Sequence, residues 1–346
     1  MKSAIIVSTF PPAVCGIAAY AEQQARQLEE LGEVVLRISP RDPGKNAELC
    51  EFSTFHGILR YLWLILCRKK QSLTLHYADR FYLRLPEQGS EVEIIRAFIR
   101  LFQLFALMVT GLIMGKNGQM IVHEINLDKT MPLTARLCRT TALRFFGTLA
   151  FHSAAQRDAV IGCIPQIIRS RTQVISHGRF LQRYFQGTQS EARASLSLSV
   201  DHGPMFLCLG FWNSSKGFED AIDAFVSMPK SPAKLYIVGS PKDDAEEMAY
   251  AGMLESRIPR VSGINLVRKT LSNEEFDQWL QASDVVILPY HAISSSGVAA
   301  RASLYGKKLV LRDLPSFREE YPESIFFKTT EELARILRTL SEDWRN

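Results

Sequence analysis

The sequence predicts an α/β protein built from two Rossmann-like, doubly wound domains that face a central cleft. Three observations carry that reading. Short β-rich runs alternate with longer helical stretches through the first half of the chain. A second series of the same kind begins after Asp201, and a polar, turn-rich stretch from Gln173 to Gly203 separates the two. Such alternation implies parallel sheets with helices on both faces.

In the first series "AIIV", "EVVLRIS", "SLTLHY", "QMIVHEI" and "GTLAFHS" read as strands, with helices over Ile17–Leu31 and Met131–Phe146 among the segments between them. In the second, "MFLCLGF", "KLYIVG", "INLVRK", "DVVILPY", "KKLVLRD" and "SIFFKT" are strands. The organisation expected is an N-terminal domain over 1–170, a junction and linker over 171–200, a C-terminal domain over 201–330 and a closing helix over 331–346.

At 346 residues and 47% apolar content the chain can bury one or two sizeable cores, and 22% charge argues against disorder. The 41 basic and 36 acidic residues leave a net charge of +5. That suits an anionic ligand or an acidic membrane surface and is too slight and diffuse for nucleic acid. Six cysteines, Cys15, Cys50, Cys67, Cys138, Cys163 and Cys208, form no C-x-x-C pair and sit mostly in apolar runs, so buried, reduced thiols in a cytosolic setting are expected. The apolar run Ala4–Val7 is too short for a signal peptide.

The uncharged, strongly apolar run Leu101–Gly115 falls short of the ~20 residues needed to cross a bilayer. With Arg96 and Arg100 it can form a helix lying on a membrane surface, and "ILRYLWLILCRKK" (Ile58–Lys70) repeats the pattern of aromatics and aliphatics beside cations. The alternative is a pair of buried helices flanking a sheet.

Ligands of doubly wound domains bind beyond the C-terminal ends of the strands, so chemistry is sought in the loops that follow them. Four loops stand out. In "STFPPAVCGIAAY" two prolines stiffen the chain, and Gly16 lets the backbone approach a ligand or open a helix. "IVHEIN" places His123 at a strand end, where imidazole can bond a sugar hydroxyl or stabilise charge and Glu124 can orient it. In "LCLGFWNSSKGFEDAIDAF", Gly210 ends a strand and Lys216-Gly217 is expected to open an amphipathic helix, with the ammonium near an anion-favouring N-terminus. Neither G-x-x-x-x-G-K-[ST] nor G-x-G-x-x-G occurs. In "DVVILPYHAISSSGVAARASLY", Ser294, Ser295, Ser296 and Gly297 offer hydroxyls and backbone N–H groups at a helix start, which suits a diphosphate, or else the serines cap the helix.

"TFPPAVCGIAAYA", "HSAAQRDAV", "VISHG", "GFWNSSKGFEDAIDAF", "LYIVG" and "ASDVVILPYHAISSSGVAARASLYGKKLVLRDLPSFRE" together resemble the retaining glycosyltransferases of family 4, in the same order and at similar spacing. The resemblance covers nearly the whole chain, most firmly Val174–Glu319. It implies the GT-B fold, a nucleotide-diphosphate sugar held mainly by the C-terminal domain, and an acceptor held mainly by the N-terminal one. It makes Gly16 part of the loop beside the donor phosphates and acceptor, His123 the active-site histidine, and Lys216 the lysine that neutralises the diphosphate. Ser294 to Gly297 match the turn beneath that diphosphate, and Glu319 matches a recurrent glutamate after the next strand.

This chain departs from the family pattern at several places. Phe211 and Asn213 stand where an arginine usually accompanies the lysine, and Ile293 and Arg301 stand where the family carries a pair of glutamates. Each unreplaced charged contact weakens donor binding by roughly 1–3 kcal/mol, which Arg301 offsets in part if it reaches phosphate. The resemblance implies a hexosyltransferase-type enzyme of cell-surface polysaccharide synthesis with a glycan or lipid-linked acceptor. It also implies retention of anomeric configuration, the leaving phosphate taking the acceptor proton, and no required metal or other cofactor; the chain contains no Asp-x-Asp. A cytoplasmic protein, peripheral at the inner face of an anionic membrane, is the setting that follows. Two other readings stay open: a catalytically degenerate relative serving as a binding or scaffold subunit, and a sugar-nucleotide epimerase of the same fold, which would need acid–base carboxylates.

Overall fold

The computed structural model describes residues 2–11, 13, 16–40, 47–78, 92–125, 143–164, 171–198, 203–242, 245–258, 263–293 and 295–344. The chain divides into two compact units, Met1–Leu181 and Gln182–Asn346. Each is an α/β unit on one parallel sheet, the architecture expected.

The first unit holds strands β1 (Ser3–Val7), β2 (Val34–Ser39), β3 (Glu48–Leu49), β4 (Ser72–Ala78), β5 (Gly118–Glu124), β6 (Thr148–Phe151) and β7 (Thr172–Val174). They pair in parallel in the order β3-β2-β1-β4-β5-β6-β7. Helices α1 (Gly16–Glu30), α2 (Phe55–Cys67), α3 (Val92–Met114) and α4 (Ala154–Cys163) lie between them. Ile5, Ile6 and Val7 in β1, Met120, Ile121 and Val122 in β5, and Leu149, Ala150 and Phe151 in β6 are all buried, so both faces of these strands are covered and they read as unbroken apolar runs. Thr54 caps α2 by accepting from the Gly57 amide at 3.1 Å, and Ser153 caps α4 by accepting from the Gln156 amide at 3.1 Å. Of the helix expected over Met131–Phe146, positions up to 142 lie outside the described residues, and 143–145 are helical.

The second unit holds β8 (Met205–Leu209), β9 (Lys234–Gly239), β10 (Ile264–Arg268), β11 (Val285–Leu288), β12 (Lys308–Arg312) and β13 (Ile325–Phe327), in the order β10-β9-β8-β11-β12-β13, again parallel. Its helices are α5 (Gln189–Ser195), α6 (Phe218–Val226), α7 (Ala245–Arg257), α8 (Asn273–Ala282), α9 (Gly297–Leu304), α10 (Pro315–Glu320) and α11 (Thr330–Asp343). Reciprocal capping boxes start α5 (Thr188 with Glu191) and α8 (Ser272 with Glu275). The C-terminal helix α11 packs on α6 within this unit.

The structure corrects three expectations. The stretch 171–200 is not a linker throughout: Thr172–Val174 forms the edge strand β7, and Gln189–Ser195 forms α5, which packs on α8. Turn-rich composition hid both elements because each is short. Cys50 and Cys208 are buried, whereas Cys67 and Cys163 are exposed, each being the last residue of its helix. Finally, α2 and α3 pack on one another without being fully buried. Leu59, Trp63 and Leu66 on α2 and Phe98, Leu101, Phe105 and Leu112 on α3 all stand more than half exposed. No helix among the described residues is long and apolar enough to cross a membrane.

Candidate functional site

In the second unit the strand order reverses between β8 and β11, and open α/β sheets bind ligands beyond the carboxyl ends of such a pair. The loops leaving those two ends carry the third and fourth motifs, and the structure joins them. The His291 amide donates to the Ser215 carbonyl at 2.9 Å, and the Lys216 ammonium lies 3.8 Å from the centre of the Tyr290 ring. Gly217 has φ 59°, and a Cβ there would sit 2.3 Å from the Pro289 carbonyl oxygen and 2.7 Å from His291 Nε2. Only glycine meets both the left-handed backbone and the close approach.

Lys216 does not open the amphipathic helix. It ends the short 3₁₀ turn Ser214–Lys216, and Gly217 caps α6. The left-handed glycine breaks the helical path, so the lysine belongs to the loop and its ammonium lies over the β11–α9 segment. Asn213, which precedes that turn, accepts from the Ser215 hydroxyl at 2.6 Å.

Ser296 is the N-cap of α9: its hydroxyl accepts from the Ala299 amide at 3.1 Å and its carbonyl from Ala300 at 3.0 Å. Its side chain is thus spent on the helix. What remains for an anion is backbone: among the described residues no hydrogen bond occupies the N–H of Gly297 or Val298. Ser295 is half-buried beside it, and Ser294 lies outside the described residues.

Arg301 does not serve as a phosphate ligand in this arrangement. One turn into α9, it is 8% exposed, pairs with the buried Asp277, and donates to the Asn273 carbonyl at 2.8 Å and to Asn273 Oδ1 at 3.2 Å. Its guanidinium lies 4.2 Å over Phe276, and burial pulls its pKa down while Asp277 opposes that shift. Glu319 lies exposed on α10.

In the first unit, Gly16 is the first residue of α1 and exposed, and a Cβ there would have no atom within 4 Å. His123, near the end of β5, is 5% exposed and both its ring nitrogens are engaged: Nε2 meets His76 Nδ1 at 2.9 Å, and Nδ1 meets His152 Nε2 at 3.1 Å. The chain continues from His76 Nε2 to Gln24 Oε1 at 2.7 Å and from His152 Nδ1 to the Ile175 carbonyl at 3.3 Å. His177 sits with its ring centre 4.3 Å from that of His152, and the buried Tyr20 ring lies within 5.3–5.7 Å of all four imidazoles. Burial pushes His76 down to about 3, with His152 adding to the effect, and His152 down to about 4; it holds His177 well below the usual histidine range. Histidines therefore orient His123. The side chain of Glu124, the neighbour expected to do so, lies outside the described residues.

Sequence reading of the loops missed His76 and His152. The signal was present, since four of the seven histidines fall at or just beyond the C-terminal ends of the consecutive strands β4 to β7. His76 pairs with Ile121, two residues before His123, so the period-2 alternation turns both to one face.

Residues 203–343 match the family model described as Glycosyl transferases group 1. The matched span holds β8 to β13 and the whole Lys216–α9 cluster. No curated protein matches the chain significantly. Among solved structures, Anabaena HepE in complex with UDP and glucose is similar at TM-score 0.68 and 15% identity, over 98% of this chain and 89% of that one. Sucrose-phosphate synthase from Thermosynechococcus elongatus is similar at TM-score 0.65 and 15% identity, over 100% and 93%. WaaG, a glycosyltransferase involved in lipopolysaccharide biosynthesis, is similar at TM-score 0.63 and 15% identity, over 100% and 92%. At these identities the likeness is one of fold, and the fold is GT-B.

Proposed function

We propose that the protein is a retaining glycosyltransferase that moves a hexosyl group from a nucleotide-diphosphate sugar to a glycan or lipid-linked acceptor, in cell-surface polysaccharide synthesis. One observation carries this: at the β8/β11 switch point the Lys216 ammonium and the first-turn amides of α9 belong to one stitched pair of loops, inside the span that matches the family model. Such a cluster meets the charge of a diphosphate with one cation and oriented dipoles, as departure of the leaving group requires. The leaving phosphate takes the acceptor proton, and the transfer is proposed to need no metal. Lys216 is the catalytic residue of this reading, with Gly297 and its neighbours binding the diphosphate. His123 reaches a sugar hydroxyl only if His152 yields its nitrogen.

The face of α2 and α3 supports a peripheral setting at the cytoplasmic leaflet. Its exposed aromatics and aliphatics are followed in the chain by Arg68, Lys69 and Lys70 after α2 and by Lys116 after α3, of which the three lysines are exposed. Apolar side chains beside cations suit an anionic lipid surface, each cation adding about 1 kcal/mol.

HepE is solved with UDP and glucose, so uridine diphosphate is the first ligand to try. Calorimetric titration with UDP, GDP and ADP, followed by an acceptor-free hydrolysis assay of the matching sugar nucleotides, tests the reading. Binding of one nucleotide diphosphate with release of its sugar is expected. A folded protein that binds none of them is a scaffold, and the proposal falls.

A further inference from the structure

We propose that His123, His152 and His177 form a binding site for a borderline divalent transition-metal ion of the Zn2+ or Co2+ kind. One ring nitrogen from each lies within 4.8 Å of the other two. A tetrahedral ion with bonds of about 2.0–2.1 Å wants its nitrogens roughly 3.3 Å apart. His123 Nδ1 and His152 Nε2 already stand at 3.1 Å. His177 is 8% exposed, and its Nδ1 is buried with no hydrogen-bond partner.

Counting protons sharpens the argument. Three neutral imidazoles, His76, His123 and His152, carry three N–H groups, yet the hydrogen-bonded chain that links them among the described residues has four contacts and ends on two acceptors, Gln24 Oε1 and the Ile175 carbonyl. If His76 donates to Gln24, His123 to His76, and His152 to Ile175, the protons are used up. Two lone pairs then face one another across the His123–His152 contact. A cation between them resolves the conflict. The outer nitrogens are then arranged as metal-bound histidines need them, His152 Nδ1–H on a backbone carbonyl and His123 Nε2–H on His76, itself held by Gln24. Imidazole ligates through a neutral nitrogen lone pair, which this arrangement leaves on His123 Nδ1 and His152 Nε2.

Two metal-free arrangements also balance the count. One is an imidazolium, which burial opposes; the other has Gln24 donating its amide in place of its oxygen. Bound metal would tie together the ends of β5 and β6 and the segment after β7. It would also occupy the nitrogen through which His123 could meet a sugar, so Zn2+ should inhibit the transfer proposed above. That consequence rests on the transfer reading, whereas binding itself is measured without any donor.

The test uses untagged full-length protein, equilibrated with Zn2+ and then gel-filtered, with retained metal measured by mass spectrometry. Co2+ loading provides visible spectra that report low-coordinate imidazole ligation. One ion per chain is expected. His152→Gln and His177→Gln should each abolish retention, while His76→Gln should loosen it roughly 10–100-fold as a loss of outer support. Circular dichroism checks each fold, and His177→Gln, on the segment after β7, keeps the test valid if His152→Gln unfolds. No retained metal in the wild-type protein, or equal retention in a folded His177→Gln variant, overturns the proposal.

Discussion

The Lys216 ammonium lies 3.8 Å from the centre of the Tyr290 ring, and through that contact two loops distant in sequence form one cluster. Lys216→Ala is expected to leave the fold intact, since the side chain belongs to a loop, and to lower kcat/KM by 10²-fold or more, equivalent to ~3 kcal/mol of transition-state electrostatics. Steady-state kinetics on a variant with an unaltered melting curve checks it, and unchanged kinetics would remove Lys216 from the mechanism.

Gly217 and Gly16 should behave oppositely. Gly217→Ala places a methyl 2.3 Å from the Pro289 carbonyl at a φ of 59°, so a loss of ~1–3 kcal/mol and a clear drop in melting temperature are expected. Gly16→Ala meets nothing within 4 Å and should melt like the parent. A fall in donor or acceptor affinity at unchanged stability would then mark Gly16 as a place where a ligand approaches the backbone.

Arg301 tests whether its position serves the ligand or the fold. Arg301→Met strips the buried Asp277 of its cation, a loss worth ~3–5 kcal/mol. Asp277 still accepts from the Tyr305 hydroxyl at 2.7 Å and the Tyr184 amide at 2.6 Å, so the variant should fold at low temperature. Nucleotide affinity is expected to stay within about 3-fold in that state, under 1 kcal/mol. A selective loss of affinity without loss of stability would return Arg301 to the phosphate site.

Glu320 makes stability depend on pH. Burial, with the Glu319 charge beside it, raises its carboxyl to about 8. A pKa raised in the folded state means a contribution complete below the ordinary value of 4.5 and lost as pH rises towards 8. Glu320→Gln should therefore gain on the parent between about pH 5 and about pH 8 and keep a constant advantage above that. Melting temperatures of the two proteins across this range settle it; parallel curves would show that the carboxyl titrates normally.

Replacing Arg68, Lys69 and Lys70 with serine tests the membrane face. The parent protein should sediment with anionic vesicles in a salt-sensitive manner and the variant should stay in solution, three cations being worth ~3 kcal/mol. Equal sedimentation with neutral and anionic vesicles would leave the apolar face of α2 and α3 for a different partner.

Strand and helix patterning was legible without the structure because it is local. Apolar runs and the turn residues between them act within a few residues, and the two strand series followed from them. That Lys216 and Ser295–Gly297 lie beyond strand ends was legible as well. The short β7 and α5 were not, since three to seven residues carry too little pattern. Only the tertiary structure decided what the side chains touch. Consecutive parallel strands need a crossover between them, so residues that meet at their ends are far apart in the chain. His76 and His177 share one cluster in this way, and Arg301 turns to Asp277 instead of an anion. Strand register set the common face of the histidines, and the left-handed Gly217 took Lys216 off the helix. Composition and spacing encode neither relation, because both depend on which backbone lies alongside.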